Sequence, residues 1–156
     1  GRVDLVVLFD PPHSPQLLLE TLLREPVVLI STAPVPSKIR LAAVARRSLV
    51  MPSGPHSLRQ LLESHTRPRN MALKVVAEVD SVQTVLSLVA RGVGDTVLPQ
   101  SAVRSWPYAE QVHVAAVVAP SIRNRLVLAI PRARPATLLS RNAAQILREL
   151  LARHFG

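Results

Sequence analysis

The stretch Ser53-Gly54-Pro55-His56-Ser57 holds the residue types in this chain best suited to gripping a small polar guest. Two hydroxyls and an imidazole stand immediately ahead of a segment whose Leu58, Leu61 and Leu62 recur at the spacing of one helix face. The first turn of a helix carries backbone N–H groups without partners inside the helix, and the helix dipole adds partial positive charge there. A carboxylate or another small anion is the natural guest of such a turn. Gly54 has no side chain to hold a ligand off the backbone. A plainer reading stands beside this one: Ser57 with Gln60 forms a capping box, and the turn serves only its own helix.

No other constellation in the sequence carries recognisable chemistry. There is no glycine-rich dinucleotide or phosphate loop, no nucleophile elbow and no zinc-protease helix motif. The histidines at 13, 56, 65, 113 and 154 lack metal-ligand spacing, and the acidic residues form no tight pair for acid–base work. Asp10 and His13 sit in a proline-rich loop after an apolar strand, where a polar pair can face a ligand but more often is ordinary loop. Catalysis, a metal and a cofactor are therefore not expected.

Composition narrows the class further. In 156 residues, 48% are apolar, the balance of a globular protein with a real core. Cysteine is absent, which removes disulfides, thiol nucleophiles and cysteine-based zinc sites together. The net charge of +9 favours anionic partners, or simply reflects an Arg-rich solvated surface. With only 3% aromatic residues there is no stacking platform for single-stranded nucleic acid. No apolar run is long enough for a membrane span, and the first residues do not read as a signal peptide. The chain starts abruptly in an apolar strand, as expected of a piece of a longer polypeptide.

The elements that must position the turn alternate between strand and helix. Val3 to Phe9 reads as a central strand covered on both faces. Leu17 to Glu25 fits a short helix by spacing alone, and Pro26 to Ile30 is strand. Ser31 to Ser37 is a proline-punctuated hinge, Leu41 to Arg47 a short helix, Leu49 to Met51 a strand, and Leu73 to Val79 another. From Glu78 to Val103 the pattern is strand, capped helix, glycine turn, strand, which spells a parallel βαβ crossover. There Asp80 with Gln83, or Ser81, caps the helix. Val82, Val85, Leu86, Val89 and Ala90 form its face, and Gly92 and Gly94 supply positive φ at its end. Ala102 to Val112 reads as loop, and Val112 to Val118 and Leu126 to Ile130 as strands. Ser140 is expected to cap a last helix with Ala143, Ile146, Leu147, Leu150 and Leu151 on one face.

Five segments in this order resemble the effector-binding domain of LysR-type transcriptional regulators. GRVDLVVLF is similar to the family's G-x-(L/V)-D-(L/V)-A strand, and LLREPVVLIS to its L-x-x-E-P-L-V-L-V segment. SLVMPSGPHSLRQLLE resembles the strand–turn–helix that follows, EVDSVQTVLSLVARGVGDTVLPQSAV is the closest match, and LVLAIPRARPATLLSRNAAQILRELL resembles the closing strand and helix. The resemblance implies an α/β, periplasmic-binding-protein-like fold of two lobes, truncated at the start of lobe one. On that reading residues 1–31 belong to lobe one, 32–114 form lobe two, and 115–156 return to lobe one with the C-terminal helix. It also implies extended chain, not helix, over Leu17 to Glu25.

The function implied is an effector-sensing and oligomerising domain of a cytoplasmic bacterial regulator. A small anionic metabolite would bind between the lobes and control DNA binding and transcription. DNA would be read only through an N-terminal winged helix-turn-helix absent from this chain, and the assembly would be a homodimer or homotetramer without membrane contact. The ligand-binding positions implied are Phe9, Ser53, Gly54, His56, Ser57, Gly94 and Asp95. Phe9 departs from the small polar or basic residue often found at that place in the family. The alternative is a solute-binding or enzymatic α/β domain unrelated to transcription.

Overall fold

Two strands carry the chain between two groups of elements in the computed structural model, which describes residues 3–155. The groups are a central unit, Glu25–Asn124, and a terminal unit made of the residues up to Arg24 and from Arg125 onward. Strand β2 (Leu17–Ser31) begins in the terminal unit and ends in the central one, and β8 (Arg123–Pro131) leaves the central unit for the terminal one. The 17–25 stretch is thus strand, as the family resemblance implies and its spacing alone does not. Its leucines suit either conformation, and tertiary strand pairing decides the outcome.

In the central unit the second half of β2 lies between two antiparallel neighbours. On one side is β6 (Thr96–Pro99), with Val27 opposite Pro99 and Ile30 opposite Thr96. On the other is β7 (His113–Val118), with Val28 opposite Ala116 and Ser31 opposite His113. Strand β3 (Lys38–Arg40) adds to β7 in parallel and leads directly into α1 (Leu41–Ala45). Separately, β4 (Ser48–Met51) pairs in parallel with β5 (Lys74–Glu78), on either side of α2 (Ser57–Thr66).

The crossover through α3 (Val82–Ala90) forms as expected, with a difference in strand order. The chain returning from α3 lands beside β4, not β5: Leu49 bridges Asp95 in parallel, Val50 N–H donates to Asp95 O at 2.7 Å, and Asp95 N–H donates to Ser48 O at 2.9 Å. Periodicity defines the elements but does not say which parallel strand is inserted between which. Leu29, Ile30, Leu49, Met51, Leu62, Leu86 and Leu98 are fully buried in this unit.

Several end-of-element expectations are corrected. Ser81, not Asp80, caps α3, accepting from Thr84 N–H at 3.4 Å. Val85, Leu86 and Val89 are buried as expected, whereas Val82 is exposed. Gly92 does take positive φ, at 78°, but Gly94 does not. The 102–112 stretch is not all loop: α4 (Gln100–Arg104) and a single 3-10 turn at Ala109–Gln111 occupy much of it. The cap of α4 comes from Glu25, far away in sequence, which no local pattern reveals.

In the terminal unit β1 (Val6–Phe9) pairs antiparallel with β8, Val6 opposite Ala129 and Phe9 opposite Leu126, and β8 in turn neighbours β2. The last helix, α5 (Leu138–Phe155), starts two residues before Ser140. Thr137 Oγ accepts from Ser140 N–H at 3.1 Å, so Thr137 holds the cap expected of Ser140. Ser140 and Ala144 are buried, but Ile146 and Leu150 of the expected buried face are exposed. Arg148 forks onto Glu20 of β2 at 2.8 and 2.7 Å. No helix among the described residues is long and apolar enough to cross a membrane.

Candidate functional site

The carboxyl ends of parallel strands β4 and β5 open into two loops, and in an open α/β sheet the crevice outside such ends is where ligands bind. Pro52 ends β4, since it cannot donate to the ladder. The loop that follows is tied to the loop after β5 by one carboxylate. Asp80 Oδ1 accepts from Ser53 N–H at 2.9 Å and from Ser53 Oγ–H at 2.8 Å. These two bonds, the backbone one first, hold the Asp80 carboxyl below its ordinary range. Asp80 was legible in the sequence only as a cap candidate. Its real partner is 27 residues upstream, beyond any local pattern.

The turn then closes on itself. His56 N–H donates to Ser53 O at 3.0 Å, and Gln60 N–H opens α2 by donating to His56 O at 3.0 Å. The capping box expected of Ser57 and Gln60 is absent. His56 is the N-cap, its Nδ1 accepting from Leu58 N–H at 3.2 Å, and Ser57 is the first helical residue. That bond leaves the imidazole proton on Nε2, as a donor on the other edge of the ring. Ser57 N–H, Ser57 Oγ and Gly54 N–H find no partner among the described residues. A Cβ built on Gly54 would meet nothing within 4 Å. Gly54 also lines an open concavity of about 310 Å³ along α2, with Gln60, Glu63, Ser64 and Arg67.

Arg59, in the first turn of α2, was not singled out from the sequence, and its cation is already engaged. Its Nε donates to Glu63 at 2.5 Å and its Nη1 to Pro52 O at 3.2 Å, with Glu78 at 3.5 Å. Glu63 also pairs with Arg67. Arg59 therefore fastens the turn to the helix and to the end of β5.

The remaining expected positions lie elsewhere. Gly94 packs its bare Cα against β4, where a Cβ would come within 2.7 Å of Ser48 O. Asp95 is held by Arg47 Nη1 at 2.6 Å as well as by its backbone bridge to β4. Phe9 is in the terminal unit at the end of β1, 49% exposed. Asp10, next to it, has φ of +42° and is bonded to Arg125, not to His13. Among the described residues no group of three or more His, Asp or Glu is placed to hold a metal ion.

Comparisons with known proteins find likenesses in sequence and in fold. The chain is 30% identical over 129 residues to the nitrogen assimilation regulatory protein nac of Klebsiella aerogenes, covering 82% of this chain and 42% of that relative, so it spans less than half the length of its relative. In structure it is similar to the regulatory domain of CcmR from Synechocystis PCC6803 in complex with 2-PG, with a TM-score of 0.82 at 19% identity over 96% of this chain and 74% of that one. It is similar also to the effector-binding domain of QuiR in complex with shikimate, with a TM-score of 0.79 at 19% identity over 98% of this chain and 74% of that one. At these identities the structural likeness shows the fold alone, the α/β, periplasmic-binding-protein-like fold expected from the sequence. The family model described as the LysR substrate binding domain matches residues 1–152, and the chain belongs to that family.

Proposed function

We propose that this chain is the effector-sensing domain of a LysR-type transcriptional regulator, and that a small anionic metabolite is held at the turn Ser53–Ser57. The observation that supports the site is the turn's own chemistry. Asp80 satisfies Ser53, while Gly54 N–H, Ser57 N–H, Ser57 Oγ and His56 Nε2 have no partner among the described residues, and the space at Gly54 is open. Gly94 and Asp95 serve, in this reading, to seat β6 beside β4.

The relatives are regulators, and the role proposed is binding without catalysis. DNA contact, assembly into a homodimer or homotetramer, and a cytoplasmic location belong to the whole regulator in this proposal. By linkage, the metabolite alters DNA binding only by as much as it prefers one arrangement of the protein over another.

The test is calorimetric titration of the complete regulator with a fixed panel of small carboxylates and phosphates that includes 2-PG and shikimate. A Cβ at Gly54 meets nothing within 4 Å, and Gly54→Val adds bulk where the open space lies. It is expected to abolish binding of whichever panel member the parent protein takes. Unchanged affinity in Gly54→Val and in Ser57→Ala would remove the turn as the site.

A further inference from the structure

A second hollow lies on the central unit, at the C-terminal end of α2. Its volume is about 470 Å³, within the range of small-ligand sites. It is lined by Arg59 and Glu63 of α2, by Arg67 just beyond the helix, and by the returning chain from Asn70 to Leu73. The sequence builds it locally. After Thr66 a 3-10 turn, Arg67–Arg69, carries Pro68, and Asn70 then takes φ of 53°, the left-handed region that Asn tolerates. Asn70 N–H donates to Arg67 O and Met71 N–H to Thr66 O, each at 3.0 Å. This reversal sets the apolar run Met71-Ala72-Leu73 beside the guanidinium groups of Arg59 and Arg67. Met71 and Leu73 are half-buried and pack against the core of the unit.

The charges of the lining do not balance. Glu63 is its acidic residue, and two guanidiniums meet there, Arg59 through Nε at 2.5 Å and Arg67 through Nη2. Arg59 and Arg67 against Glu63 leave one positive charge in excess. Glu78 reaches Arg59 at 3.5 Å from outside the lining and is 55% exposed, so solvent screens it. Arg67 Nε and Nη1 and the Asn70 side-chain amide have no partner among the described residues. A guanidinium presents its N–H groups as a planar fork that matches a carboxylate.

We infer that this hollow is a second ligand site, taking a small monocarboxylate with an apolar body. The carboxylate sits on Arg67 and Asn70, and the hydrocarbon lies on Met71, Ala72 and Leu73. A single negative charge cancels the excess of the lining, whereas a dianion overshoots it and an amine is repelled. The apolar run contributes by burying hydrocarbon, so a carboxylate without a chain binds more weakly. Gly54, His56 and Ser57 do not line this hollow. Glu63 and Arg67 also border the concavity beside Gly54, so the two hollows occupy neighbouring faces of α2. This inference does not depend on the turn Ser53–Ser57 binding an effector.

The experiment follows the Met71 methyl group by NMR in the complete polypeptide labelled with [methyl-13C]methionine, its signal identified by its loss in Met71→Leu. Hexanoate is expected to shift that signal saturably, acetate to do so only at much higher concentration, and hexylamine not at all. Arg67→Gln removes the cation at a side chain that is 76% exposed, so the fold is kept. It is expected to weaken hexanoate binding about tenfold or more, the loss of a charge-assisted hydrogen bond. Gly54→Val separates the two sites: it is expected to leave the Met71 shift unchanged, whatever it does at the turn. The absence of a saturable shift with hexanoate overturns the inference. So does an equal response to hexylamine, an unchanged affinity in Arg67→Gln, or loss of the shift in Gly54→Val, which would place the ligand at the turn.

Discussion

Glu25 and Ser101, separated by 76 positions, are joined twice: Oε2 accepts from Ser101 N–H and Oε1 from Ser101 Oγ–H, each at 3.0 Å. The carboxylate fixes the start of α4 against the point where β2 enters the central unit. Charge-assisted bonds to a partly buried carboxylate are worth more than neutral ones. Glu25→Ala is expected to cost about 2 kcal/mol and Ser101→Ala about 1 kcal/mol. A double-mutant cycle by urea denaturation should show coupling, and simple additivity would mean that the pair is incidental.

Glycines offer a second contrast. Gly94→Ala places a methyl 2.7 Å from Ser48 O, a backbone atom that cannot move aside without disturbing β4. A loss of about 1–3 kcal/mol is expected. Gly92→Ala is strained by its φ of 78° and should cost about 1 kcal/mol. Gly54→Ala should stay within about 0.5 kcal/mol of the parent. Thermal or chemical unfolding of the three variants should rank them in this order.

The cap of α2 separates local pattern from structure. Removing the His56 imidazole frees Leu58 N–H, so His56→Ala should lose about 1 kcal/mol of stability. Ser57→Ala should cost almost nothing, because its hydroxyl caps nothing here. The reverse ranking would restore Ser57 as the cap.

Asp80 gives a pH dependence. Its carboxyl is held below the ordinary value by Ser53, so folding favours the ionised form. The contribution is present above the unfolded carboxylate pKa and is lost as pH falls through the lower folded value. Exchange of the Ser53 amide should therefore quicken relative to neighbouring amides as the medium is acidified through that range. Asp80→Asn should show no such acid-dependent change at Ser53. A parent protein in which Ser53 exchange does not respond to acid would break the tie between the two loops.

Glu20 and Arg148 test how α5 is held. The guanidinium hydrogen bonds lower the Glu20 carboxyl, with burial opposing, and Glu20 in turn raises Arg148. Both side chains are 43% exposed, so the pair is screened by solvent and salt. Glu20→Gln should change stability by no more than about 1 kcal/mol, and less in high salt. A larger, salt-independent loss would show that the pair is more than a surface bridge.

What the sequence determined by itself was the run of elements and the family. Apolar spacing marks α2, α3 and the strands β4 to β8, because burying one face is a local demand repeated every few residues. The five segments resembling the regulator domain were legible for the same reason, and they settled Leu17–Glu25 as strand where spacing alone left helix open. The tertiary structure decided what distant residues do to one another. It gave the α4 cap to Glu25, turned Asp80 from a helix cap into a clamp on Ser53, inserted β4 between β5 and the returning chain, and made Gly94 a packing position. Hydrogen bonds and steric contacts across tens of residues leave no periodic trace along the chain, and so they emerge only once the fold brings their partners within reach.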